Sequence, residues 1–352
     1  MQMKKLISIL LVLVLALGLV ACGSEETTAP ETTEAPEVTE TPIETTDETE
    51  APEVDLSDVT LTMGTGGTSG TYYAFGSALA QQIKDSTGIT VDVVSTDGSK
   101  ANIVDMDFGD YQLGTVQSDV MSYAWEGTRS FQEEGAIDTF RVVGGLYAET
   151  VQLVTTNPEI KSVADLAGRP VSIGAPNSGV YFNAIDVLAS AGLTEEDIDA
   201  RYQSFGDSAD ALKDGKIDAA FIVAGAPTPA IVELCTTTDA YLVPIDGEYA
   251  ENLMAECPFY SLYEIPAGTY EGQDEAVTTV TVKATLIVSA DTSEEAVYAL
   301  TAAIYDNAEA ITTVHAKGAE LSLENATSGL TVPFHAGAAK YFAEQGIEVE
   351  VG

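Results

Sequence analysis

From residue 59 onward, apolar and polar positions follow two alternating periods, one typical of strands and the other of helices. Short apolar runs at 59–64 ("VTLTMG"), 89–96 ("ITVDVVST") and 111–119 ("YQLGTVQSD") predict strands. Between the first two runs, apolar residues recur at the spacing of one helix face, at Tyr72, Phe75, Leu79 and Ile83. A short helix is predicted between the second and third strands. Strands and helices in this order predict a parallel sheet covered by helices.

The same pattern occurs a second time further along the chain. Residues 171–174 ("VSIG") end in a glycine turn, a helix is predicted over 177–193, and two more strands follow within 198–227. Gly70 precedes Val116 by 46 residues and Gly179 precedes Val223 by 44, so the junctions of the two units keep nearly the same spacing. The sequence therefore predicts two similar α/β units.

A glycine-rich loop lies between a strand and a helix in each unit. The first, "GTGGTSG" at 64–70, holds four glycines in seven positions, and "GAPNSG" at 174–179 is its counterpart. Parallel sheets bind ligands beyond the carboxyl ends of their strands, where helix N-termini present free N–H groups. Ser69 and Ser178 are predicted to cap the following helices. The loops lack the spacing of a dinucleotide fingerprint, the lysine of a P-loop and the pattern of a nucleophile elbow, and a tight turn without a ligand remains the alternative.

The first 58 residues have a different character. Lys4 and Lys5 precede an apolar run at 7–20 that has the length of a secretory signal, and the run ends in "LVAC". This ending resembles a lipoprotein cleavage box, which implies a signal peptide over 1–22 and a lipid on Cys22; an ordinary signal peptide is the alternative. Residues 23–58 are almost entirely Glu, Thr, Pro and Ala, without Lys or Arg, which predicts a disordered tether.

The net charge and the few cysteines and histidines argue against several classes of function. The formal net charge of −42, with 14 Lys plus Arg in 352 residues, argues against nucleic acid as a partner. Outside the cell, Cys235 and Cys257 either pair as a disulfide or remain two free thiols. The only histidines, His315 and His335, belong to no metal-spaced cluster and have no nucleophile nearby in sequence. We therefore expect no catalytic residue, no metal and no cofactor.

The ordered set of motifs resembles the TAXI family of solute receptors for TRAP transporters. The resemblance covers nearly all of residues 59–352 and is carried by "LTMGTGGTSGTYYAFGSALA", "STDGSKANI", "GDYQLGTVQSD", "GRPVSIGAPNSG", "DGKIDAAFIVAGAPTPAI", "TDAYLVPIDG", "CPFY" and "VPFHAGAAKYF". It implies an extracytoplasmic receptor that passes a solute, often glutamate or a related carboxylate, to a membrane permease driven by an ion gradient. It also implies a monomer that is held at the membrane by its lipid anchor.

The resemblance implies a two-lobed, periplasmic-binding-protein-like α/β fold, with each lobe a mainly parallel sheet and the ligand cleft between the lobes. Lobe one is expected over 59–147 plus 267–352 and lobe two over 148–266. The chain is expected to cross between the lobes through 140–156 ("FRVVGGLYAETVQLVTT"), with Gly144 and Gly145 near a hinge, and to return through 277–290 ("VTTVTVKATLIVSA").

The ligand contacts implied by the resemblance are all made by neutral residues. They are Thr65, Gly66, Gly67, Thr68, Ser69, Gly70, Thr71, Tyr72, Ser95, Ser99, Asn102, Gln117, Ser118, Pro176, Asn177, Ser178, Gly179 and Tyr181. N–H groups at helix N-termini can hold a carboxylate without a basic side chain. Ser69 and "GAPTP" depart from the commoner family pattern, so the family's ligand does not transfer automatically. A receptor for another importer or for a membrane sensor is the alternative function, and an enzyme on the same scaffold is the third.

Overall fold

The computed structural model describes residues 55–352, which form a sheet flanked by helices. The strands are β1 (Thr60–Gly64), β2 (Thr90–Val94), β3 (Leu113–Gln117), β4 (Phe140–Thr155), β5 (Pro170–Ser172), β6 (Asp199–Arg201), β7 (Ala219–Ala224), β8 (Tyr241–Val243), β9 (Ser261–Ile265) and β10 (Val277–Ser289). The helices are α1 (Thr71–Thr87), α2 (Ser99–Asp107), α3 (Ser118–Glu126), α4 (Gly179–Ser190), α5 (Phe205–Lys213), α6 (Pro229–Thr237), α7 (Gly247–Glu256), α8 (Glu294–Tyr305), α9 (Ala308–Val314), α10 (Leu323–Thr327) and α11 (Ala336–Glu344). In this part of the chain, no helix has both the length and the apolar character needed to cross a membrane.

The two ends of the sheet have the same local topology. The strand order is β2-β1-β3-β10-β4-β7-β5-β6, while β8 pairs with β4 and β9 pairs with β10. β1 is parallel to β2 and β3, and β5 is parallel to β6 and β7. In each unit the first strand therefore lies between the second and the third, which confirms the internal repeat predicted from the sequence.

Buried side chains divide the described residues into two lobes. The core of lobe one consists of residues between Leu61 and Tyr147 and residues between Ala284 and Phe342. The core of lobe two consists of two clusters of residues between Val151 and Val282. Each lobe contains one of the parallel units and its covering helices. The predicted fold class is confirmed.

Two long antiparallel strands, β4 and β10, connect the lobes side by side. β10 pairs with β9 through Val277–Thr281 and with β3 through Ala284–Val288, so each of its ends belongs to a different lobe. β4 begins in the core of lobe one and then pairs with β7 in lobe two. These strands coincide with the two crossing segments that the sequence predicts.

Gly144 and Gly145 on β4 allow helices of lobe one to approach the strand closely. A Cβ at Gly144 would lie 2.2 Å from the Tyr305 hydroxyl, and one at Gly145 would lie 2.5 Å from the Asn325 carbonyl oxygen. The pairing of β4 with β10 also shifts register on both sides of this pair. Close packing is the physical reason for two consecutive glycines here.

The predicted signal sequence, the lipidation of Cys22 and most of the predicted tether lie outside the described residues. The last four residues of the tether, 55–58, are described, and Leu56 packs against the core of lobe one.

Candidate functional site

A cavity of about 80 Å³ lies between the two lobes. Its walls come from the carboxyl ends of all six parallel strands: the segments that follow β1, β2, β5 and β6, and the last residues of β3 and β7. Ligands of open parallel sheets collect at this edge. The repeat therefore brings its two equivalent edges together around one space.

Half of the residues implied as ligand contacts line this cavity. They are Gly66, Gly67, Gly70, Thr71, Tyr72, Ser99, Gln117, Ser178 and Gly179. The other nine lie nearby without lining it: Thr65, Thr68, Ser69, Ser95, Asn102, Ser118, Pro176, Asn177 and Tyr181. The structure also adds residues that the sequence reasoning missed, chiefly Thr96, Asp97, Glu149, Gln203, Ser204 and Phe205.

The first glycine loop runs along the cavity wall and ends at α1. Gly70 occupies the N-cap position and supplies no side chain to the first turn. The hydroxyl of Thr71 donates to the Gly225 carbonyl at 2.8 Å. Ser69 precedes the N-cap, so the prediction that it caps α1 was wrong, and the first N–H groups of α1 have no side-chain cap.

The second loop has a side-chain cap, as predicted. The Ser178 hydroxyl accepts a hydrogen bond from the Tyr181 N–H at 3.3 Å and donates to the Ala175 carbonyl at 2.7 Å. Asn177, just before the cap, has a φ of 65°, in the left-handed region. This turn aims the N-terminus of α4 at lobe one.

The lobes contact each other directly at these loops. An added Cβ at Gly179 would lie 1.8 Å from Oε1 of Gln117, so only a glycine fits there with Gln117 in its present position. The Ala230 N–H donates to the Ser69 carbonyl at 3.1 Å, and the Ala101 N–H donates to the Asn177 carbonyl at 3.3 Å. In the described conformation the two lobes therefore contact each other at the loops that line the cavity.

Several implied contact residues hold the first loop in place. The Asn102 amide donates to the carbonyls of Thr65 and Thr115, at 2.6 and 2.8 Å. The Thr65 hydroxyl donates to the Val94 carbonyl, and the Ser95 hydroxyl donates to the Gly66 carbonyl at 3.0 Å. These side chains fix the position of the cavity wall.

Other implied contact residues are directed elsewhere. The Tyr181 hydroxyl donates to Glu195 at 2.9 Å, and Ser118 Oγ accepts from the Lys283 N–H at 3.2 Å. Thr68 and Pro176 are exposed.

Glu149, on β4, is a buried acid at the cavity wall. It is 2% exposed, and its Oε2 has no hydrogen-bond partner among residues 55–352. Burial, followed by the charges of Asp119 and Glu320, raises the pKa of Glu149 well above its ordinary value, while Lys317 opposes that shift. Burial and the neighbouring Glu149 carboxyl also raise the pKa of Tyr72. Glu149 follows an apolar stretch of a strand, and no motif in the sequence distinguishes it.

The internal repeat could have identified some of the missed residues. In the two units, "VVSTDGSKANI" corresponds to "YQSFGDSADAL", which places Ser204 opposite the implied contact Ser95. Gln203, Ser204 and Phe205 follow β6 as Ser95 and Thr96 follow β2, and all three line the cavity.

A second set of contacts joins the lobes beside the cavity. The residues that make these contacts are Asp119, Arg129, Asn183, Asp186 and Tyr260. Arg129 of lobe one pairs with Asp186 of lobe two at 2.6 Å, and the Asn183 amide donates to Asp119 at 3.1 Å and to the Tyr260 hydroxyl at 2.7 Å. Burial raises the pKa of Asp119 to about 7 and also raises the pKa of Asp186. Arg129, one of four arginines in the chain, has a φ of 45°.

Cys235 and Cys257 are free thiols, so the disulfide alternative is not realised. Cys257 is buried in one cluster of lobe two, where its sulfur lies 3.3 Å from Nη2 of Arg129, and Cys235 packs against the other cluster. The separation of the two clusters keeps the thiols apart.

Both histidines have structural roles. His335 caps α11 by accepting the Gly337 N–H at 3.2 Å, and His315 accepts the Lys317 N–H at the same distance. Within 55–352, no group of three or more His, Cys, Asp or Glu side chains is arranged to hold a metal ion.

Comparison with known proteins gives a family and a set of similar folds. The sequence model of the NMT1-like family matches residues 63–346. A structure from Bordetella bronchiseptica RB50 is 19% identical, with a TM-score of 0.51, over 82% of this chain and 90% of the other. The periplasmic aliphatic sulphonate binding protein SsuA from Escherichia coli is 17% identical over the same shares, with a TM-score of 0.44. PhnD1 from Prochlorococcus marinus, in complex with methylphosphonate, is 12% identical with a TM-score of 0.47 over 70% of this chain and 84% of the other.

Proposed function

This chain belongs to the NMT1-like family and has the periplasmic solute-binding-protein fold, and from that premise we propose that it is an extracytoplasmic receptor for a small organic solute. The observation that carries the proposal is the cavity enclosed between the lobes, with walls from six strand ends. A space walled by both lobes gives a solute contacts that an open form lacks. We propose that the protein binds the solute and delivers it, and that it catalyses no reaction.

A carboxylate fits the donors at the cavity. The first turns of α1 and α4, at Thr71 and Gly179, border it, and helix N-termini bind anions through backbone N–H groups and the helix dipole. The hydroxyl of Ser99 and the amide of Gln117 supply further polar groups, whereas the Ser178 hydroxyl already donates to the Ala175 carbonyl. The residues listed above as implied ligand contacts remain our proposed contact set, with those that line the cavity first.

The proposed mechanism is closure of two lobes around the solute. We take 59–147 plus 267–352 as lobe one and 148–266 as lobe two, with β4 and β10 as the connection that bends. A solute that contacts both glycine loops binds the closed form better than the open form and shifts the population towards closure.

The proposed partner is a TRAP-type permease, and the proposed location is the outer face of the cytoplasmic membrane. The resemblance of the motifs to the TAXI family supports the permease class, and the "LVAC" box supports a lipid on Cys22. The solute would then be released to the permease from a monomer tethered by residues 23–58.

Native mass spectrometry of the chain from Gly23 onward tests the proposal. This segment contains the complete compact unit, 52–352. We expect a small solute that leaves on denaturation, and a rise in melting temperature when a carboxylate from a panel of organic acids and amino acids is added, because a ligand that binds only the folded state stabilises it. Absence of both, or conversion of an added compound to a product, would contradict the proposed function.

A further inference from the structure

Glu149 lines the cavity and carries an acceptor oxygen without a hydrogen-bond partner. Its side chain is 2% exposed, and Oε2 has no hydrogen-bond partner in the described part of the chain. Burial of a carboxylate is unfavourable unless hydrogen bonds or a cation compensate for the lost water. A buried carboxyl that lines a ligand cavity and lacks such a partner therefore indicates that the ligand supplies one.

The cation that acts on Glu149, Lys317, is shared with Glu320 and makes no hydrogen bond to Glu149. Lys317 is the nearby cation, and its Nζ already lies 2.6 Å from Oε1 of Glu320. The other ionisable neighbours, Asp119, Tyr72 and Tyr147, are acidic. The cavity lining within residues 55–352 contains neither lysine nor arginine.

A second buried acceptor lies in the same wall. Gln117 is 2% exposed, and its Oε1 also has no partner in the described residues. The cavity therefore combines two unpartnered acceptors with the N–H donors of two helix N-termini, on α1 and α4. This combination suits a solute that carries both a cationic donor and a carboxylate.

We propose that Glu149 is a specificity-determining residue that receives the ammonium group of the solute, so that the cavity selects amino carboxylates over plain carboxylates. This inference rests on the proposed function and narrows its solute class. The ammonium group would pair with Glu149 while the carboxylate occupies the helix N-termini.

Binding of an ammonium group would change the protonation state of Glu149. In the empty cavity, the low dielectric and the acidic neighbours favour the neutral carboxyl of Glu149. When the ammonium group arrives, the O–H bond of Glu149 breaks and the proton passes to the solvent, while the ligand keeps its own proton. Binding therefore releases a proton that the buffer takes up.

The test is calorimetry at pH 6 with the chain from Gly23 onward and paired probes: each of the twenty L-amino acids and the matching acid that lacks the amine, such as L-glutamate and glutarate. We expect the preferred amino acid to bind at least tenfold more tightly than its partner acid. Glu149→Gln keeps the size of the side chain and removes its charge. This variant should lose at least tenfold in affinity for the amino acid and less than threefold for the plain acid.

Proton release separates a ligand contact from a structural role. In the parent protein, the observed binding enthalpy should differ between phosphate and Bis-Tris, both of which can take up a proton at pH 6, in the sense of proton release, and Glu149→Gln should abolish that difference. Glu149→Asp, which keeps the charge, should retain part of the preference for the amine. Melting curves check that both variants fold.

The possible outcomes distinguish the role of Glu149 from the proposed receptor function. If plain acids bind as tightly as the amino acids, the role of Glu149 is overturned and the receptor function stands. If Glu149→Gln leaves the preference for the amine and the proton release unchanged, the inference is also overturned. If no probe of either class binds, both the inference and the proposed carboxylate receptor fail.

Discussion

At the scale of single residues, Gly179 of lobe two lies directly against the Gln117 side chain of lobe one. A methyl group at Gly179 would lie 1.8 Å from Oε1 of the buried Gln117 amide, so the amide must move or the lobes must separate. We expect Gly179→Ala to weaken solute binding by about tenfold or more, about 1.4 kcal/mol, because either movement alters the cavity wall. Titration calorimetry with the solute identified by mass spectrometry measures the change.

Gly67→Ala is the matched control in the other loop. A Cβ at Gly67 meets no atom within 4 Å, so the same substitution adds a methyl group without a steric conflict. Because Gly67 lines the cavity, the added methyl group takes some of the space proposed for the solute, and we expect a loss of affinity smaller than that of Gly179→Ala. Equal affinities for Gly179→Ala and Gly67→Ala would show that the lobe contact is unimportant for binding.

Ser178 and Ser69 offer a second pair, because only one of them caps a helix. Ser178→Ala removes the hydrogen bond to the Tyr181 N–H and should lower the free energy of unfolding by about 1 kcal/mol. Ser69→Ala removes no cap from α1 and should change that free energy by less than about 0.5 kcal/mol. Denaturant unfolding of both variants would contradict this assignment if Ser69→Ala proved the more damaging.

Sequence reasoning reached the residues that carry a local signal and missed those placed by tertiary structure. The glycines at 66, 67, 70 and 179 indicated the cavity, because loops that a ligand or a neighbouring segment approaches closely are rich in glycine. No such local signal marks Glu149, since its position at the cavity wall depends on how β4 packs against segments that are distant in sequence. Ser69 was assigned as a cap because the sequence leaves the start of α1 uncertain by a residue or two.

At the scale of elements, the contact between α3 and α4 makes stability depend on pH. The pKa of Asp119 is about 7 in the folded protein, above the ordinary value of 3.8, because the carboxyl is buried. A raised folded-state pKa gives stability that is fully present below the unfolded-state pKa and is lost as the pH rises through the folded-state value. We therefore expect the free energy of unfolding to fall from about pH 4 to pH 7, by up to about 1.4 kcal/mol per pH unit from this group.

Asp119→Asn should reduce that dependence, because the amide does not titrate. Part of the slope should remain, since the pKa values of Glu149 and Asp186 are raised in the same direction. Urea unfolding at a series of pH values measures both curves. An unchanged slope in Asp119→Asn would show that this carboxyl is not the group responsible.

Most of the strands and helices could be predicted from the spacing of apolar residues along the chain. The helix face at Tyr72, Phe75, Leu79 and Ile83 lies on α1 (Thr71–Thr87), and the apolar runs at 59–64 and 89–96 contain β1 (Thr60–Gly64) and β2 (Thr90–Val94). The pairing of β4 with β10 was beyond sequence reasoning, because both are apolar runs and periodicity does not specify which strands become neighbours.

At the scale of the whole molecule, the Arg129–Asp186 pair joins the two lobes. Arg129→Gln removes this ion pair, and we expect about 1 kcal/mol less stabilisation of the closed form and a larger radius of gyration without solute. Arg169→Gln is the matched control, because Arg169 pairs at 3.2 Å with Asp218 inside lobe two. Small-angle scattering that showed both variants to be as compact as the parent would contradict a role for the pair in closure.

The proposed lipid anchor predicts where the protein is found. If Cys22 carries lipid, the parent protein should sediment with membranes, and Cys22→Ala should be recovered in the soluble exported fraction. Fractionation followed by immunoblotting distinguishes the two. Equal distributions of parent and variant would show that Cys22 does not hold the protein at the membrane.

The path of the chain through the two cores also determines the order in which they can form. The core of lobe two takes its side chains from one continuous stretch between Val151 and Val282, which includes the start of the returning strand β10, whereas the core of lobe one needs residues near Leu61 and residues as late as Phe342. Contacts distant in sequence form slowly, because a long loop must close first. As the chain emerges during synthesis, lobe two can therefore fold as soon as its own stretch is available. The apolar faces of the first strands of lobe one stay uncovered until the core residues between Ala296 and Phe342 arrive, and these exposed faces are where aggregation would begin.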